Sequence, residues 1–255
     1  MAKVLNLQQG IIYGPVSSRR LGRSLGLNLQ PTKYKVCPFN CVYCHYGWTA
    51  KHTKDLTPFE EDLPTPHRIK EALKSYLEKD KDIDYITFSG NGEPSSHPKF
   101  HEIVELVREV RDRLVPGRKI AVLSNSTMLD DPKVLSALQQ LDLRIMKLDC
   151  GTEEIFQRFN RPVAEITLDK IVSGLKKLNQ FVIQTLLAGG ENGNDVPESI
   201  SRWQQLIGEL KPEYVQLYSL ENPPADSSLE EIPKEKLGQI AAETESKTGI
   251  RVEVS

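Results

Sequence analysis

The chain has 255 residues, 38% of them hydrophobic and 27% charged, with a net charge of −2. That make-up excludes a disordered or fibrous chain and suits a globular one long enough to bury a sizeable core. No apolar run approaches the ~20 residues of a membrane helix, and residues 1–9 lack the apolar core and cleavage site of a secretory leader, so no membrane association is expected and the cytoplasm is the expected location. The near-neutral total hides a split. The first 54 residues hold Lys3, Arg19, Arg20, Arg23, Lys33, Lys35, Lys51 and Lys54 with no Asp or Glu, leaving 25 basic and 35 acidic residues for the remainder. Such an end is either a solvated basic loop or one that draws in phosphate, carboxylate or an RNA backbone.

In chain order, the run Ser17-Ser-Arg19-Arg20-Leu-Gly22-Arg23 precedes a first strand at 24–29. Three arginines among glycines suit either a clamp for an anionic substrate group or a salt-bridged lid. An excursion over 30–66 follows. Strand patterns then fall at Tyr85–Phe88, 119–123, 143–148, 181–187, 214–218 and 251–254, several rich in Val, Ile, Leu, Phe or Tyr as strands buried on both faces are. Helical spacing of apolar residues occupies 67–77, Phe100–Leu114, 169–178, 200–210 and 234–243, with Thr167 placed as a cap. A second, polar excursion covers 189–198. Alternation of this kind predicts an α/β chain of βαβ units around a parallel sheet. Six or seven units make a full or partial barrel, or an open doubly wound sheet; in each, functional groups gather at the C-terminal ends of the strands.

Three of the four cysteines lie within eight residues, in Cys37-Pro-Phe-Asn-Cys41-Val-Tyr-Cys44. In a reducing compartment such a cluster is a metal site rather than a disulfide framework. Three thiolates supply three of the four ligands of a [4Fe-4S] cube and leave one iron open, an arrangement suited to catalysis as an open zinc position is. The alternative is zinc held by the same cysteines and His45, although adjacent ligands at 44 and 45 fit a tetrahedral site poorly. That alternative corresponds to a non-catalytic RNA-binding or scaffold protein.

The cysteine spacing, with aromatic Tyr43 before the third cysteine, resembles the signature of the radical S-adenosylmethionine (SAM) superfamily. The resemblance implies a partial (βα)6 TIM-like barrel of one domain over 1–255, with a basic N-terminal segment and first strand in 1–30 and a cluster-binding loop and excursion in 31–66. It implies a [4Fe-4S] cluster on Cys37, Cys41 and Cys44, SAM on the open iron, an electron donor such as flavodoxin or ferredoxin, and a 5′-deoxyadenosyl radical that abstracts hydrogen from substrate. Gly90-Asn91-Gly92-Glu93 resembles the family's Gly-Gly-Glu motif for the SAM ammonium, with Asn91 replacing one glycine. Ser124 and Asn125 fall where the family binds the SAM ribose. Asp149 and Cys150, at the end of a strand, are expected near SAM or substrate as catalytic groups, Cys150 being alternatively a small buried residue. Gln184, polar in an apolar strand, is expected to contact the cofactor from the barrel interior, as Thr185 and Gln216 are to contact substrate.

The run from Gly14 to Gly26, the Phe159-Asn-Arg-Pro162 element and Val215-Gln-Leu-Tyr-Ser-Leu220 narrow the resemblance to iron–sulfur oxidoreductases related to the tRNA wyosine synthases. Those synthases hold a second cluster. Outside the triplet this chain has only Cys150, too few thiolates for one, so an activity that needs an auxiliary cluster is not expected. Cys44-His45 also resembles the activating enzymes of glycyl-radical enzymes, which act on a partner protein. The substrate is left open between an anionic small molecule and an RNA.

Overall fold

The computed structural model describes residues 4–255; Lys3 of the basic segment lies outside the described residues. The chain begins with a hairpin. Strand β1 (Ile12–Ser18) pairs antiparallel with β2 (Gly22–Leu27). β1 was not anticipated, because Gly14-Pro15 reads as a turn; proline is tolerated there since β1 is the edge of the sheet.

From β2 onward the pairing is parallel, through β3 (Tyr85–Phe88), β4 (Lys119–Ser124), β5 (Leu143–Lys147), β6 (Val182–Leu186), β7 (Val215–Tyr218) and β8 (Val252–Val254). Spatial order follows sequence order across all eight strands. A doubly wound sheet would reverse direction at a switch point. Right-handed crossovers that never reverse put every helix on one face and curl the sheet into a barrel. Six crossovers carry helices: α1 (Pro66–Leu77), α2 (Phe100–Leu114), α3 (Pro132–Gln139), the pair α4 (Glu153–Phe159) and α5 (Leu168–Leu175), α6 (Pro197–Leu210) and α7 (Lys234–Thr248). With β1 and β8 both left as edges, the result is the partial (βα)6 barrel.

Helix starts follow local chemistry. Thr65, Asp131 and Thr167 each accept a hydrogen bond from a backbone N–H of the first turn of α1, α3 and α5, which satisfies donors the helix itself cannot. The apolar stripes of α1 (Ile69, Leu73, Leu77) and α2 (Ile103, Val104, Val107) pack on the outer face of the sheet in one continuous core with Leu25, Ile86, Phe88, Ile120 and Val122. Among the described residues no helix is long and apolar enough to cross a membrane.

Candidate active site

The excursion after β2 is anchored by short backbone ladders. Val36–Cys37 pairs with Lys51–His52, and Val36 forms a parallel bridge with Gly92 in the turn after β3. Gly92 has no room for a side chain: a Cβ there would stand 2.1 Å from the Val36 carbonyl oxygen. The far side of the loop is held by the segment after α4. Val42 N–H donates to the Phe159 carbonyl at 3.0 Å, Asn40 N–H to Asn160 at 3.1 Å, and Val163 N–H to Pro38 at 3.0 Å. The loop carrying the cysteines is thus pinned on two sides before any ligand is considered.

Cys37, Cys41 and Cys44 line one cavity of about 360 Å³, with Gly90, Gly92, Glu93, Ser124 and Asn125. None of the cysteines is in a disulfide. Burial above all pushes the Cys37 thiol up to about 11 and the Cys41 thiol up to about 12, Cys41 being raised further by its two sister sulfurs. The Lys35 ammonium pulls both thiols the other way without offsetting burial. Among the described residues no three or more His, Cys, Asp or Glu side chains converge as ligands of a single metal ion. The three sulfurs line one cavity. His45 also lines the cavity; its ring packs edge-on against Tyr46 at 4.3 Å, and burial lowers its pKa to about 4.

The residues expected to hold SAM divide into those that face the cavity and those that shape it. Glu93 is 2% exposed and its carboxylate accepts from Ser95 N–H (3.0 Å), Ser95 Oγ (2.5 Å), Ser124 Oγ (2.9 Å) and Asn125 N–H (2.6 Å). Asn125 Nδ2 donates to Cys37 Sγ at 3.7 Å. Asn91 is fully buried and does not line the cavity; its side chain binds the backbone of Gln8 and Pro31, tying the N-terminal segment to the turn. Gln184 faces the cavity and donates to Gln216 at 2.9 Å. Thr185 is buried and donates to the Leu148 carbonyl at 2.8 Å.

Asp149 and Cys150 stand behind the cavity wall, not on it. The Asp149 carboxylate is filled by Tyr43 Oη (2.7 Å), Asn160 Nδ2 (2.9 Å), Leu186 N–H (2.9 Å) and Lys147 Nζ (2.8 Å). Cys150 is 1% exposed, and burial raises its thiol well above the ordinary value. The three arginines also separate. Arg23 pairs with Asp80 and Asp82 at the start of β2, and Arg19 is exposed and pairs with Glu221 at 2.5 Å. Arg20 alone lines the cavity, with its guanidinium 4.5 Å from the centre of the Tyr218 ring.

Lys147 was not anticipated, because a lysine closing an apolar strand reads as an exposed end. It lines the cavity, lies 4.8 Å from the Tyr218 ring and 5.2 Å from the Tyr43 ring, and donates to Tyr218 Oη at 3.1 Å. Burial works to lower its pKa, but Asp149 and Tyr218 outweigh it and hold the ammonium above its usual value. Lys35 is also buried, donating to the Gly47 carbonyl at 2.9 Å beside the cysteines. Only long-range pairing reveals either residue.

Residues 32–202 match the model of the radical SAM superfamily, a stretch running from the cysteine loop into α6. The chain belongs to the radical SAM superfamily, whose enzymes use a [4Fe-4S] cluster and SAM. It is 30% identical over 239 residues to the UPF0026 protein of Methanocaldococcus jannaschii, covering 91% of this chain and 70% of that one. It is 27% identical over 248 residues to a Brachyspira hyodysenteriae protein named GTPase Obg, where the match takes in 95% of this chain but spans only 35% of that protein's length. Among solved structures it shares its fold with TYW1 bearing a lysine–pyruvate adduct, at a TM-score of 0.57 and 16% identity over 88% of this chain and 73% of that one.

Proposed function

We propose that this chain cleaves SAM reductively and uses the resulting radical to take a hydrogen atom from a substrate that carries an anionic group. The observation behind this reading is that Cys37, Cys41 and Cys44 share one cavity with the Gly90–Glu93 turn, Ser124 and Asn125, while Arg20 and Lys147 line the same cavity against Tyr218. The three cysteines would hold the cluster, which when bound supplies the electron and the open iron for SAM. Carbonyls of the Gly90–Glu93 turn would accept from the SAM ammonium, and Ser124 and Asn125 would meet its ribose. Arg20 and Lys147 would hold a carboxylate or phosphate of the substrate, their charges kept strong by the low dielectric of the cavity. Tyr13, Tyr43 and Tyr218 would exclude water around the reacting carbon. An electron donor of the flavodoxin or ferredoxin kind completes the cycle.

The test is anaerobic. The protein is reconstituted with iron and sulfide and reduced, its paramagnetic spectrum is recorded with and without SAM, and 5′-deoxyadenosine is assayed. A [4Fe-4S]⁺ signal that SAM perturbs, together with 5′-deoxyadenosine, is expected from the wild type, and Cys41→Ala should lose both. Unchanged SAM cleavage in that variant would overturn the assignment.

A further inference from the structure

Asn160 belongs to the Phe159-Asn-Arg-Pro162 element that follows α4, far in sequence from the cysteines, and is 1% exposed. Its amide is committed on every side. Nδ2 lies 2.9 Å from Asp149 Oδ2 and 3.7 Å from Cys41 Sγ, and Oδ1 lies 3.4 Å from Cys150 Sγ. These contacts settle which atom is nitrogen. The Asp149 carboxylate can only accept, so the atom facing it must be the NH2 group. The Cys150 thiol can then donate to the opposite oxygen. One N–H of the NH2 group is used by Asp149, and the second is aimed at the sulfur of Cys41.

From this geometry we infer that Asn160 is a positioning residue for the cluster: it donates a hydrogen bond to the Cys41 thiolate and so makes the cluster easier to reduce. This rests on the proposed role of the three cysteines. A donor at a ligating sulfur draws charge from it and favours the more negative, reduced state. Asn160 is buried, and burial strengthens such a bond. Asn125, at the same 3.7 Å from Cys37, acts in the same sense on a second ligand. The two amides come from neighbouring βα units, Asn125 from the end of β4 and Asn160 from the end of α4. Cys150 gains a role as well, since its thiol and the Asp149 carboxylate together fix the orientation of the Asn160 amide. The backbone bonds between residues 159–163 and the cysteine loop do not use the Asn160 side chain, so the donor can be removed while the loop stays pinned.

The experiment is a redox titration of the reconstituted protein, followed by the [4Fe-4S]⁺ signal, with iron and sulfide content measured in parallel. Asn160→Leu removes both N–H donors at nearly constant volume. At a fixed poise its ratio of reduced to oxidised cluster should fall roughly tenfold, a downward shift of about 59 mV for a one-electron couple. Asn160→Ser, which returns one donor, should recover part of that shift, and Asn160→Ala should not. A fully loaded Asn160→Leu or Asn160→Ala cluster at the wild-type potential would overturn the inference. So would equal loss of iron from the Ser and Ala variants, since the residue would then be purely structural. A failure of the radical SAM reading looks different: the wild type itself would show no cluster signal that SAM perturbs.

Discussion

Glu93 receives four hydrogen bonds on its two carboxyl oxygens, two of them from the backbone N–H groups of Ser95 and Asn125. Burial raises its pKa, against the pull of these donors. The N–H of Ser95 serves one oxygen and that of Asn125 the other. Glutamine has the same shape but turns one oxygen into a donor, so whichever way it is placed one backbone N–H faces an NH2 group. A buried donor left without a partner costs about 1–3 kcal/mol. Glu93→Gln should therefore destabilise the cluster-free protein by about 1–3 kcal/mol, seen as a lower urea midpoint at unchanged slope. A midpoint equal to wild type would mean that these hydrogen bonds do not hold the turn. The place of this residue at the cavity was legible, because a carboxylate after a glycine turn at the end of a strand is a local pattern. Its saturation from within was not, since Ser124 and Asn125 reach it across 31 and 32 residues. The same limit hid Lys147, whose partners Tyr43 and Tyr218 lie far away in sequence, and it made Arg19, Arg20 and Arg23 look like one group.

At the scale of elements, legibility followed burial. The strand Tyr85–Phe88 and the helix Phe100–Leu114 have the bounds that their apolar spacing predicts. β1 shows no such signal because its residues are half-exposed at a sheet edge. Helices α3 and α4 are short, and their few apolar residues set up no sustained period, although Asp131-Pro132 is a start signal for α3 that the sequence does carry. The Gly92 turn and the Val36 strand meet so closely that their contact can be tested directly. Gly92→Ala would place a methyl group against the Val36 carbonyl, and neither backbone can yield without moving the cysteine loop. We expect a loss of about 1–3 kcal/mol in stability and a lower iron content after reconstitution. The control is Gly238→Ala in α7, where a Cβ meets nothing within 4 Å; it should stabilise by about 0.4–1 kcal/mol and leave iron content alone. Full iron loading in Gly92→Ala would show that the bridge does not position the cysteines.

On the scale of the whole molecule, the first hairpin and the segment after β7 meet beside the site. The turn between β1 and β2 reaches the last strands: Arg19 and Arg20 pair with Glu221, and Arg20 donates to Ser255 Oγ at 2.7 Å. Side chains from Tyr13 to Asn222 therefore line a single cavity inside an open barrel, and a ligand held there is in contact with nearly every βα unit. Such a ligand binds the folded state and not the unfolded one, so it must raise stability by mass action, about 2.7 kcal/mol at a hundredfold excess over its dissociation constant. For a chain of this length that is a rise of several degrees in melting temperature. In the proposed site the open iron would be one of the groups that hold SAM, so the rise should depend on the cluster. We expect SAM to raise the melting temperature of the reconstituted protein under anaerobic conditions, and to have little effect on the cluster-free protein or on Cys41→Ala. An equal rise in all three would mean that the Gly90–Glu93 turn, Ser124 and Asn125 hold SAM unaided, and the three cysteines would lose their place in the proposed mechanism.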